Sequence, residues 1–217
     1  MWQGASEAKL SATRSYGAAV DLEASGPAEA FERVGELHES TGRVLIHGFD
    51  DPLIIAGHGT VGLELREELP DVDVVLVPAG GGGLVSGIAT SLPDVRVVAV
   101  EPELSPAVHE ALARGEPVQV EPRSIADGLS APYAGEHVLA LCRELGVESV
   151  LVSEDEIRAG FRFLYERAKL AAEPAGAVGV AAILACKIPD LAGRTVVAVV
   201  SGGNVAPETA AAILSRK

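Results

Sequence analysis

Short runs of β-branched apolar residues recur along the chain and alternate with longer helix-like stretches. "VDVVLV" (72–77), "VRVVAV" (95–100), "ESVLV" (148–152) and "TVVAVV" (195–200) are rich in Val and Leu, as expected of strands buried in a parallel sheet. Shorter runs at 18–22 and 43–46 predict two further strands. Helix starts are legible between them. Asp51 followed by Pro52 is one, and "SEDE" (153–156) has the form of a capping box, with Ser153 as N-cap and Glu156 three residues on. Strand and helix in alternation predict an α/β protein with helices covering a parallel sheet. Residues 1–50 are more polar and predict a smaller lobe, with the larger domain spanning 51–217.

One connection departs from ordinary strand-to-helix turns. In "VPAGGGGLVSGIAT" (77–90) four glycines, Gly80 to Gly83, separate the strand from an apolar helix that begins near Leu84. Glycine serves where φ must be positive or where another group approaches the main chain closely. A glycine loop at a helix N-terminus also presents unpaired N–H groups in the field of the helix dipole, which favours an anion. A phosphate is the occupant this predicts. A second glycine signal, "SGGN" (201–204), follows the last apolar run. In an open parallel sheet both loops leave the carboxyl edge, where ligands bind.

Composition narrows the field. Among 217 residues, 48% hydrophobic content excludes a disordered chain, and a net charge of −14 argues against nucleic acid and anionic membrane as partners. The longest apolar stretch, "AVGVAAILAC" (177–186), is too short to span a bilayer, and the first residues lack a signal-peptide pattern. A cytoplasmic protein is expected. Cys142 and Cys186 lie far apart and are expected to be buried thiols.

Two readings of the phosphate ligand follow. Gly81, Gly83 and Gly87, with Glu101 about 20 residues on, loosely match a dinucleotide-binding fingerprint, although the stricter Gly-x-Gly-x-x-Gly spacing fails. The second reading rests on six stretches in order: "FDDPLIIAGHGTVGLE" (49–64), "VPAGGGGLVSGIAT" (77–90), "VVAVEPE" (97–103), "SIADGLS" (124–130), "KLAAEPAGAVG" (169–179) and "VVSGGNV" (199–205). Together they resemble the fold-type II pyridoxal-phosphate enzymes, above all the threonine and serine dehydratases and serine racemase. The resemblance implies an open twisted parallel sheet with helices on both faces, of the tryptophan synthase β-like kind. It also implies pyridoxal 5'-phosphate as cofactor and elimination of ammonia from threonine or serine. A non-catalytic module that binds a phospholigand or a partner on the same scaffold is the alternative, alongside the NAD-binding domain.

The resemblance assigns roles residue by residue. Gly80, Gly81, Gly82, Gly83 and Leu84 would hold the cofactor phosphate. Ser201, followed by Gly202, would hydrogen-bond the pyridine nitrogen. Gly128 would lie beside the ring, and Glu173 is similar to an acidic residue near the cofactor. Some members bind a divalent cation through residues matching Glu101 and the Ser105 carbonyl. Here Ala107 stands where a third, carboxylate ligand is expected, which weakens that site. His58 replaces an expected glutamine and reads as structural. The family's Schiff-base lysine lies in a Lys-x-Arg-Gly motif, and its substrate carboxylate is bound by a Ser-x-Gly-Asn-His loop. Neither pattern occurs in these 217 residues, and Lys9, Lys169, Lys187 and Lys217 match other positions. The catalytic residue is therefore unassigned. A C-terminal portion, inactive alone, is expected, with a homo-oligomer or a complementing N-terminal segment as partner.

Overall fold

The computed structural model describes residues 1–5 and 7–215, in two compact units, 1–46 and 47–217. The first unit holds α1 (Glu7–Ser15) and α2 (Pro27–Thr41), with an isolated parallel bridge between Trp2 and Ala24. The segments 18–22 and 43–46, expected as strands, are not strands here. The cause is physical: a strand needs a neighbour to satisfy its N–H and C=O groups. Asp21 instead pairs through its carboxylate with Arg33, 3.0 Å away, and Val44 and Ile46 are 87% and 76% exposed.

The second unit is built on β1 (Val74–Pro78), β2 (Arg96–Pro102), β3 (Glu148–Val152) and β4 (Val196–Ala198). All pair in parallel, in the spatial order β3-β2-β1-β4. Helix α3 (Pro52–Glu68) precedes β1, α4 (Gly83–Ser91) lies between β1 and β2, α5 (Ala107–Arg114) and α6 (Glu136–Glu144) between β2 and β3, and α7 (Glu154–Phe163) and α8 (Val178–Leu184) between β3 and β4. The last element is α9 (Pro207–Ser215).

Period-two alternation divides the strand side chains between two cores. Val75, Val77, Val97 and Ala99 pack with Ile55, Val85, Ile88, Val108 and Val138 of α3, α4, α5 and α6. Val74, Leu76, Val98 and Val100 pack with Ile157, Val178 and Ala181 of α7 and α8. Helices therefore cover both faces of the sheet; β1 is buried at every position and β2 at all but Arg96, which is why 74–77 and 97–100 are apolar without interruption. Each fully buried Val or Leu contributes roughly 2 kcal/mol.

The caps form as the sequence dictates. Asp51 accepts from the N–H groups of Leu53 and Ile54, and Ser153 and Glu156 bond reciprocally at the start of α7. Helices α3 and α4 meet through small residues: a Cβ on Gly87 would fall 2.4 Å from the Ile55 carbonyl oxygen. Gly87 is thus a packing glycine. Among the described residues no helix is long and apolar enough to cross a membrane.

Candidate functional site

Strands β1 and β4 are adjacent and parallel, so the loops at their carboxyl ends, 79–83 and 199–206, leave the sheet side by side. The N–H groups of Gly80, Gly81, Gly82, Gly83 and Leu84 meet no protein acceptor among the described residues. Five donors in a row, ending in the first turn of α4, are suited to an anion with several acceptor oxygens. Gly82 makes the turn into the helix at φ +88, the left-handed region.

The protein's own walls explain the absent side chains. A Cβ on Gly81 would fall 2.3 Å from the Phe49 ring, and one on Gly83 would fall 2.7 Å from the Phe49 carbonyl oxygen. On Gly82 it would lie 2.4 Å from a Val138 methyl. On Gly80 it would meet the Leu129 backbone at 3.1 Å. The glycines are therefore required by packing on one side of the loop, whatever occupies the other.

Leu129 closes a 3₁₀ turn, Asp127–Leu129, that joins the glycine loop to the remaining candidates. Gly128 in that turn lies so close to Glu173 that an added Cβ would sit 3.0 Å from its Oε1. On Gly202 the corresponding distance is 2.3 Å. The Glu173 N–H also donates to the Gly202 carbonyl at 3.0 Å, which ties "AAEPAGA" to "SGGN". Gly80 to Gly83, Gly128, Glu173 and Gly202 thus form one continuous surface, with Leu84 half-buried at its helix end and Ser201 exposed beside Gly202. A groove of 540 Å³, lined by Ile55, Thr90, Ser91 and Leu141 among others, is apolar and contains none of these residues.

The Glu101 carboxylate and the Ser105 hydroxyl are engaged within the fold. The Glu101 carboxylate is fully buried and accepts from the N–H groups of Val108 and His109, each at 2.7 Å, so it caps α5. Burial pushes this carboxyl up to about 8, against the pull of those two donors. Ser105 donates its hydroxyl to the Leu129 carbonyl at 2.8 Å, and Ala107 is fully buried in the first turn of α5. Among the described residues no group of three or more His, Cys, Asp or Glu side chains could hold a metal ion. With both oxygens accepting from α5, the Glu101 carboxylate is turned to the helix start and not toward a cation. Nor does a fully buried Glu101 fit a ribose hydroxyl, and Gly87, the third glycine of the dinucleotide reading, is spent on helix packing.

Two described lysines belong to the second unit, Lys169 and Lys187. Lys187 pairs with Glu156 at 2.9 Å and Glu103 at 3.4 Å, and Glu156 first of all holds its ammonium above the usual lysine range. That is the wrong direction for a nucleophilic amine. Lys169 occupies the left-handed region (φ 60) after the π-helical turn Leu164–Ala168. Lys217 lies outside the described residues. Cys142 is buried, its thiol pushed up to about 12 by burial, whereas Cys186 is exposed, contrary to expectation. Sequence reasoning also missed Phe49 and Asp50. Their signal lay in "FDDP", where two successive carboxylates precede one proline and only Asp51 is needed to cap α3.

Comparison with known proteins agrees with this arrangement. The family model described as pyridoxal-phosphate dependent enzyme matches residues 1–202. L-threonine ammonia-lyase of Geobacter sulfurreducens is 44% identical over 213 residues, covering 96% of this chain and 53% of that protein. Catabolic L-threonine dehydratase of Escherichia coli K12 is 39% identical over 211 residues, covering 94% and 64%. The structure of maize serine racemase superposes with a TM-score of 0.87 at 32% identity, covering 96% of this chain and 66% of that one. The chain spans about half the length of the Geobacter relative. With a family match over most of its length and a sheet whose two glycine loops meet at one edge, the chain belongs to the pyridoxal-phosphate dependent enzymes.

Proposed function

We propose that this chain carries the cofactor-binding part of a threonine or serine ammonia-lyase. The overall reaction removes the Cα proton and the β-hydroxyl as water, and the resulting enamine hydrolyses to a 2-oxo acid and ammonia. One observation carries the reading: five consecutive N–H donors that meet no protein acceptor among the described residues follow the end of β1, near Gly128, Glu173 and Gly202. The identities of 44% and 39% to a threonine ammonia-lyase and a threonine dehydratase support the same choice of substrate class.

Gly80, Gly81, Gly82, Gly83 and Leu84 hold the phosphate ester through backbone N–H groups, at the positive end of α4. Gly128 and Gly202 let Glu173 approach closely, because a Cβ at either place would strike its carboxyl, and the ring is proposed to lie beside Gly128. Ser201 offers a neutral hydroxyl to the pyridine nitrogen and, unlike a carboxylate, does not hold it protonated. When bound, pyridoxal phosphate supplies the electron sink for the Cα carbanion. A weaker sink favours elimination over transamination. The protein is further proposed to act in the cytoplasm and as a homo-oligomer or with a complementing N-terminal segment.

Titration of the purified 217-residue chain with pyridoxal 5'-phosphate, followed by threonine, tests the reading. The cofactor is expected to bind reversibly and to leave on dialysis, with no 2-oxobutanoate formed, because no Lys-x-Arg-Gly motif lies in these residues. Adding, as a separate chain, the N-terminal segment of the Geobacter sulfurreducens enzyme that precedes the matched region is expected to produce 2-oxobutanoate. Failure of the chain to bind the cofactor would refute the proposal. So would 2-oxobutanoate from the chain alone together with a borohydride-reduced adduct on one of its lysines.

A further inference from the structure

We propose that Phe49 and Asp50 are positioning residues for the glycine loop, and that together they set the spacing of its N–H donors. The inference rests on the reading of that loop as the phosphate site. Three of the four glycines are held by this dipeptide. Phe49 touches two directly: its ring lies 2.3 Å from the Cβ position of Gly81, and its carbonyl oxygen 2.7 Å from that of Gly83. Asp50 reaches the third through α6. Its carboxylate accepts from the N–H groups of Glu136 and His137 at 3.0 Å and of Val138 at 3.3 Å, which pins the first turn of that helix. Val138, so placed, lies 2.4 Å from the Cβ position of Gly82. Gly135, whose own Cβ would strike the Asp50 carboxyl at 2.1 Å, donates to the Gly81 carbonyl at 3.4 Å.

Phe49 and Asp50 are themselves fixed. The Phe49 ring, 9% exposed, meets Tyr133 and His47 edge to face, at centroid distances of 5.5 and 4.7 Å. The His47 Nδ1 accepts from the Asp50 N–H at 2.8 Å and from the Phe49 N–H at 3.2 Å. Asp51, the next residue, caps α3. The segment 47–51 is therefore a clamp that fastens two helix starts and the outer side of the loop at once.

A clamp is needed here for an entropic reason. A run of glycines samples more backbone conformations than any other sequence, and an anion that had to order it would lose affinity with each residue fixed. Walls that exclude the alternative conformations order the loop beforehand, so the donors stand ready before the phosphate arrives.

The test uses the full chain with Phe49→Leu, Phe49→Ala, Asp50→Asn and Asp50→Ala. Hydrogen exchange of the Gly80–Leu84 amides is measured without ligand, with β1 and β2 amides as the folding control. Faster exchange confined to the loop is expected in both alanine variants, and a smaller effect in Phe49→Leu and Asp50→Asn. Binding of pyridoxal 5'-phosphate is then compared with that of pyridoxal, which lacks the phosphate. Affinity for the phosphate ester is expected to fall roughly tenfold or more in the alanine variants, and pyridoxal affinity to stay within about twofold. Unchanged loop exchange in all variants, or equal losses for both ligands, would overturn the proposal. If the unmodified chain does not distinguish the two ligands, the phosphate reading itself fails, while the exchange data still decide whether Phe49 and Asp50 hold the loop.

Discussion

Replacing Gly82 with Ala should destabilise the second unit more than any other single alanine in the glycine loop that leaves Phe49 in place. Two costs combine. The residue sits at φ +88, where a Cβ costs roughly 1–2 kcal/mol. The methyl would also approach Val138 to 2.4 Å and Val108 to 3.0 Å, and overpacking of that kind costs about 1–3 kcal/mol more. The sum is about 2–5 kcal/mol, a fall in Tm of about 5–15 °C for a chain of this size. Gly80→Ala, with no positive φ and a nearest contact of 3.1 Å, should cost about 1 kcal/mol. Urea unfolding followed by far-ultraviolet circular dichroism measures both, since the single tryptophan, Trp2, reports on the other unit. A double-mutant cycle with Val138→Ala separates the two costs. Removing the Val138 methyls should recover about 1–2 kcal/mol of the Gly82→Ala penalty and leave the dihedral cost behind. Equal stability of Gly82→Ala and Gly80→Ala would refute the reasoning, as would zero coupling to Val138. The same geometry bears on ligand studies: loss of phosphate binding in a Gly82→Val variant would report core disruption before it reported exclusion of the ligand.

Two further outcomes are expected. Iodoacetamide at pH 8 should modify Cys186 alone in the native protein and both thiols in urea, because Cys142 is buried with its thiol pushed up to about 12; rapid native labelling of Cys142 would contradict this. The Glu101 carboxyl, pushed up to about 8 in the fold from 4.5, binds its proton more tightly when folded, so its contribution is full below about pH 4.5 and declines toward pH 8, by at most about 1.4 kcal/mol per pH unit. Chemical denaturation of Glu101→Gln across that range should show a flatter pH profile than the unmodified chain, and identical profiles would show that Glu101 does not titrate there.

Much of the architecture is written locally. The β-branched runs at 72–77, 95–100, 148–152 and 195–200 became the four strands, and in the central pair the stretches 74–77 and 97–100, buried on both faces, are apolar at every position. Asp51 and the Ser153–Glu156 box marked their helix starts through contacts three residues long. The two glycine loops could be assigned to one sheet edge because parallel strands all point the same way. Other features required the tertiary structure. The runs at 18–22 and 43–46 have strand-like composition but pair with no other strand among the described residues, and pairing is a property of two segments. Glu101 has a ligand's chemistry in the sequence, yet it became a helix cap because the turn after β2 brings the Val108 and His109 N–H groups to its carboxylate. Cys186 looked like a core thiol, but it follows α8 in a left-handed turn that leaves it at the surface. The reason Gly81 and Gly83 carry no side chain lies more than thirty residues earlier, in Phe49, and no local pattern encodes so distant a contact. Propensity and capping act over a few residues and can be read from them; steric exclusion acts between surfaces that meet only when the chain has folded.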